Sequence, residues 1–149
     1  MKTFFTVTLL AFFMVAAPAF ADSPIYTGTF NNKAVGGYDT TTYFNAGGPV
    51  KGLDTFKTNW RGANWYFVSQ TNLEKFNANP EKYAPQYGGY CAWAAAHGTL
   101  AKGDPKIYDI ENGKLYLNYD QSIQNSWTPR KAELITKADA QYPSLVDLK

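Results

Sequence analysis

Asn112-Gly113 stands between two apolar-rich runs, Ile107-Tyr108-Asp109-Ile110 before it and Leu115-Tyr116-Leu117-Asn118-Tyr119 after it. An Asn-Gly pair in that setting is the strongest short-range hairpin signal. Both central residues of the tight turn need positive φ, and these two types adopt it at least cost. This stretch is therefore committed to an antiparallel ribbon. A second ribbon is read from "TFKTNWRGANWYFVS": Phe56, Thr58 and Trp60 alternate on one strand, Trp65, Phe67 and Ser69 on the other, and Gly62 sits in the Arg61–Asn64 connection.

Helix signals fill the gaps. Thr71 and Glu74 have capping-box spacing, Leu73 and Phe76 supply an apolar face, and Asn79-Pro80 ends the run. Gly36–Gly48 reads as a short turn-like helix with Tyr38, Tyr43 and Phe44 turned inward, and Pro49–Asp54 as a loop. Helix formers between the Gly88-Gly89 pair and Gly98 predict a further helix with Gly98 just past its end. Asp120 and Thr128-Pro129 mark two more helix starts, with Pro129 at the first position of a last helix over Pro129–Ala140. Its inner face carries Leu134, Ile135 and Ala138. No internal repeat is visible. The fold class expected is α+β, a small antiparallel sheet of two or more hairpins with short helices packed against it.

Residues 1–21 read as a secretory signal peptide. Lys2 is the charged start, the apolar stretch through Phe20 contains Pro18, and Ala19-Phe20-Ala21 fits the small-x-small cleavage pattern. The remainder, 22–149, is expected to be one domain, periplasmic or secreted, with no membrane association after cleavage. The chain has 14 Lys+Arg against 12 Asp+Glu. Lys2 leaves with the leader, so the mature part is near neutral and has no basic run, which argues against nucleic acid as a partner. All 4 Trp and all 11 Tyr lie beyond the leader, enough aromatic area to build a core without disulfides.

Chemistry converges on "YGGYCAWAAAHG" (87–98), which holds the only cysteine, Cys91, and the only histidine, His97. If the helix starts at the glycine pair, Cys91 falls in its first turn, where free amides and the dipole favour thiolate, and the glycines leave room above the sulfur for a ligand. The alternative is a small buried hydrophobe among aromatics. Six helical positions put about 9 Å of rise and about 240° of rotation between Cys91 and His97, so a regular helix keeps them apart. Joint ligation requires the helix to begin after Cys91 or to break before His97. His97 also fits as a helix C-terminal residue. Tyr87, Tyr90 and Asp39 are candidate supporting groups, and Asp39 fits a helix cap. Catalytic motifs are missing: there is no His-x-x-x-His, phosphate loop or nucleophile-elbow pattern.

"WYFVSQTNLEKFNANPEKY" (65–83) resembles the YHS domain, a small module associated with metal binding. Phe67, Ser69, Phe76, Asn79, Pro80, Glu81, Lys82 and Tyr83 match it. "GYDTTTYF", "PQYGGYCAWA" and "NGKLYLNYD" extend the resemblance to a longer, exported branch. The two cysteines of the family's short form are replaced by Val68 and Asn72, so that metal pair is not carried over and Cys91 is the one thiol left. The resemblance together with the helix-start thiol points to a soft-metal protein, copper ahead of zinc, with Cys91 as the metal residue and His97 as its optional second ligand, and a metal ion or metal-handling protein as partner. Two alternatives stand beside it. One is a thiol redox protein or disulfide-linked homodimer acting through Cys91. The other is a non-enzymatic, aromatic-rich ligand or scaffold module with an inaccessible Cys91.

Overall fold

The computed structural model describes residues 21–148, so the leader expected over residues 1–21 lies almost wholly outside the described residues. Three two-stranded antiparallel ribbons and a set of short helices make an α+β fold: β1 (Tyr38–Asp39) pairs with β2 (Val50–Lys51), β3 (Leu53–Trp60) with β4 (Ala63–Phe67), and β5 (Asp104–Glu111) with β6 (Lys114–Asn118). The helices are α1 (Gln70–Ala78), α2 (Pro80–Tyr83), α3 (Ala92–Ala96), α4 (Gln121–Trp127) and α5 (Lys131–Gln141). None of these is long and apolar enough to cross a membrane.

Both expected hairpins form, and each closes through two positive-φ residues, Arg61 (49°) with Gly62 (78°) and Asn112 (52°) with Gly113 (72°), as a primed two-residue turn requires. Three local expectations change. Ser69, not Thr71, caps α1: its hydroxyl accepts from the Asn72 amide at 3.2 Å, while Glu74 instead accepts from Gln70 one turn back. Pro129 heads a short 3-10 turn, Thr128–Arg130, and α5 starts after it. The segment read as a loop over 49–54 contains β2 and the start of β3, because Tyr38 and Asp39 pair with Lys51 and Val50, a contact between segments too far apart for local patterning to show.

The chain is built from two similar halves, contrary to the absence of repeats in the sequence reading. β3 and β4 carry a register shift between Leu53↔Phe67 and Lys57↔Tyr66; β5 and β6 carry the same shift between Asp104↔Asn118 and Tyr108↔Leu117, 51 residues on. A capped helix follows each hairpin, headed by Ser69 in one half and Asp120 in the other. Phe76 and Trp127, equivalent positions on α1 and α4, are both fully buried. Upstream, Gly36-Gly37-Tyr38-Asp39 corresponds to Gly88-Gly89-Tyr90-Cys91, all four glycines having positive φ. Gly52 N donates to Gly37 O at 3.0 Å, and Gly103 N donates to Gly89 O at 3.0 Å. Tyr38 faces Lys51 across a ladder, as Tyr90 faces Lys102. So few side chains are shared that the duplication is a property of backbone geometry, not of pattern.

Each half has its own apolar cluster. The first gathers Trp65, Phe67, Phe76 and Tyr43; the second gathers Tyr87, Tyr116, Trp127, Leu134 and Tyr142. Strand β6 joins them by its two-residue alternation, Leu115 and Leu117 facing the first cluster and Tyr116 the second.

Candidate functional site

Asp39 and Cys91 occupy the same place in the two halves: each is the residue before a short helix, in extended conformation. Asp39 is fully buried. Its Oδ1 accepts from the Thr41 amide (2.9 Å) and hydroxyl (2.7 Å). Its Oδ2 accepts from the Val68 amide (2.9 Å) and the Asn72 side-chain amide (2.8 Å). The expected cap is therefore present, and it does more than cap: it ties the 3-10 turn Thr40–Phe44 to the end of β4 and the first turn of α1. Four donors converge on a buried carboxylate, which is how such a group is made tolerable in a core.

In the second half the sulfur of Cys91 takes that position. Helix α3 begins after Cys91, at Ala92, so the thiol is at the helix edge and not inside its first turn. The residue is 1% exposed. Its Sγ donates toward Asn118 Oδ1 at 3.6 Å. Asn118, itself fully buried, is oriented by Gln124: the Asn118 amide donates to Gln124 Oε1 at 2.7 Å, which leaves Oδ1 free to accept from the thiol and from the Trp93 amide at 3.1 Å. Burial pushes the Cys91 thiol above its ordinary range, and the backbone amides of Ala94, Tyr119 and Trp93 only partly oppose it. An acceptor at the sulfur and burial both favour the protonated form.

Contrary to the expectation from sequence, the glycine pair does not open space over this sulfur. A side chain at Gly88 would overlap the Pro24 carbonyl, and the Tyr26 amide donates to Gly88 O at 3.0 Å. The N-terminal segment fills the room.

His97 is exposed and caps the C-terminus of α3. Its ring stacks on Trp93, centroids 3.8 Å apart, and Nδ1 lies 2.7 Å from the Trp93 carbonyl. The late helix start meets the condition for joint ligation, yet Cys91 faces Asn118 inside while His97 lies on the surface against Trp93. The fold does not bring them together. Tyr87 and Tyr90 are both buried and point elsewhere: Tyr87 donates to Asp139 at 2.8 Å and Tyr90 to the Ser23 carbonyl at 3.0 Å. Burial and Asp139 push the Tyr87 phenol far above its usual range. Among the described residues, no group of three or more His, Cys, Asp and Glu is placed to hold a metal ion. Asn118 and Gln124, which decide the state of Cys91, were missed in the sequence; the one available signal is a polar residue at the inward strand position that Phe67 occupies in the first half.

These features define an α+β module of paired hairpin–helix halves with its polar groups locked inside. Residues 41–87, most of the first half, match the family model of the YHS domain. No curated protein and no solved structure matches the chain. The YHS family is associated with metal binding, and the resemblance expected from sequence pointed to the positions of Val68 and Asn72 as its metal pair. Both positions donate to Asp39, so the residues present there do not fit a soft metal ion.

Proposed function

We propose that this is an exported, non-enzymatic YHS-type binding module that does not use its thiol for chemistry. The observation that carries the reading is the closure of both places where soft-ligand chemistry would sit. Asp39 occupies the Val68–Asn72 junction, and Asn118 holds the Cys91 thiol, 1% exposed, in its protonated form. A thiol redox function, or a dimer bridged through Cys91, needs an accessible thiolate, and the raised thiol works against it. Export rests on the leader-like residues 1–21.

A second reading is soft-metal handling, copper(I) before zinc, at Cys91. It is favoured by the match of residues 41–87 to a family associated with metal binding and by the backbone amides of Ala94, Tyr119 and Trp93 that face the thiol and favour its ionised form. Copper(I) titration of the mature protein against a competing chelator decides between the two. Equal competition by wild type and Cys91→Ser, with no copper-dependent rise in melting temperature, is expected; a Cys91-dependent affinity would overturn the first reading in favour of the second.

A further inference from the structure

A cleft of about 320 Å3 opens where the two halves meet, lined by Gly36, Tyr38 and Lys51 from the first half and by Lys102, Pro105 and Lys106 from the second. Lys51 and Lys102 are equivalent residues of the duplication, so the cleft has a cation from each half at matching positions. Junctions between structural units are where ligand sites most often form.

The cations are crowded. Lys51 is held below its ordinary pKa by burial first, then by repulsion from Lys33 and Lys106. Lys51 Nζ lies 4.2 Å from the centre of the Tyr38 ring and donates to the Gly36 carbonyl. Lys33 Nζ lies over Tyr66 at 4.6 Å, with Asp54 at 3.8 Å. Lys102 lies over Tyr119 at 5.5 Å. The one carboxylate lining the cleft, Asp104, accepts from the Lys106 backbone amide at 2.8 Å. None of the lysines lining the cleft has a carboxylate partner among the ion pairs of the described residues, although paired charges are the usual arrangement when cations are drawn together.

The wall beside Lys51 is strained. Val35, a buried β-branched residue, has φ 50° and ψ 34°, followed by Gly36 at φ 58° and Gly37 at φ 79°. A β-branched residue in this region is a genuine outlier. Such strain persists only where the surroundings enforce it, and it clusters at ligand clamps.

We propose that this inter-half cleft binds a small oxyanion carrying two or more negative charges, of the phosphate or di- and tricarboxylate class, with the three lysines that line it, Lys51, Lys102 and Lys106, as its cations. The inference deepens the binding-module reading and rests on it. Its test does not involve Cys91 or copper, so either can fail without the other.

Calorimetric titration at low ionic strength with inorganic phosphate and, separately, with citrate tests the site and distinguishes the two ligand types. Saturable binding of at least one, weakened by added sodium chloride, is expected. Lys51→Gln and Lys102→Gln should each weaken it about tenfold, the scale of one charge-assisted contact. Lys114→Gln, an exposed lysine in the β5–β6 turn region outside the cleft, should leave it unchanged, and circular dichroism checks that each variant is folded. Absence of saturable binding of both probes overturns the proposal. So does an equal loss in Lys114→Gln, which would mean a diffuse charge effect.

Discussion

The Asn72 side-chain amide donates to Asp39 Oδ2 at 2.8 Å, across 33 residues of sequence, beside the Val68 amide that donates to the same oxygen at 2.9 Å. One buried carboxylate thereby fixes the junction of β4 and α1 to the 3-10 turn that follows β1. Asp39→Ala strands the amides of Thr41 and Val68 in the core. It should cost about 3 kcal/mol or more in urea unfolding, and Asn72→Ala about 1–2 kcal/mol. The double variant should show a coupling of about 1 kcal/mol, because the two changes remove a shared bond. Strict additivity would mean that the bond contributes nothing.

Thr40 lies next to this carboxylate, fully buried, and its hydroxyl has no hydrogen-bond partner among the described residues. Thr40→Val keeps the shape and removes an unsatisfied polar group. It should stabilise the protein by about 1 kcal/mol, read as a shift in denaturant midpoint at constant slope. A loss of stability would mean that the hydroxyl is satisfied in solution.

Cys91 should be alkylated far more slowly in the native protein than in urea, by at least about a hundredfold, since reaction needs an opening that exposes the sulfur. Asn118→Leu removes the acceptor and the hold of Gln124 together. It should speed alkylation of the folded protein, which thiol titration with iodoacetamide at several pH values will show. Fast alkylation of the wild type at neutral pH would contradict the sealed thiol.

Burial raises the phenols of Tyr43, Tyr87 and Tyr142 well above their ordinary range, and Tyr116 is pushed up to about 12. The folded state therefore holds these protons more tightly than the unfolded chain, whose tyrosines ionise near pH 10. Their contribution to stability is complete below about pH 10 and is lost as pH rises above it, each adding a slope of about 1.4 kcal/mol per pH unit. The raised Cys91 thiol acts in the same direction from about pH 9. Stability should stay level through neutral pH and fall steeply in alkali. Tyr87→Phe should make that fall shallower while costing about 1 kcal/mol at pH 7 through the lost bond to Asp139.

Gly88 has φ 62°, and a Cβ there would run into the Pro24 carbonyl. Gly88→Ala should destabilise by about 3 kcal/mol, because backbone and not a flexible side chain must move. Gly62→Ala, also at positive φ but with nothing within 4 Å of a Cβ, should cost only about 1 kcal/mol. Thermal melts of the pair separate crowding from conformational strain.

Much of this molecule was decided by short stretches of sequence. Asn112-Gly113 and Arg61-Gly62 set two hairpins, Asn79-Pro80 ended a helix, Asp120 began another, and Gly98 closed α3, because turn and cap chemistry acts within a few residues. The inner face of α5 followed from its spacing, with Leu134 and Ala138 buried. The cap of α1 was misplaced by two residues because Ser69 and Thr71 are chemically equal candidates until the backbone chooses. The pairing of β1 with β2, the duplication, the burial of Cys91 against Asn118 and the placing of Lys51, Lys102 and Lys106 around one cleft came only with the tertiary structure. Each depends on how segments distant in sequence dock, which no local signal carries. A thiol beside a glycine pair reads as open in sequence; Pro24, 67 residues upstream of Cys91, and Asn118, 27 residues downstream, are what close the glycine pair and the sulfur.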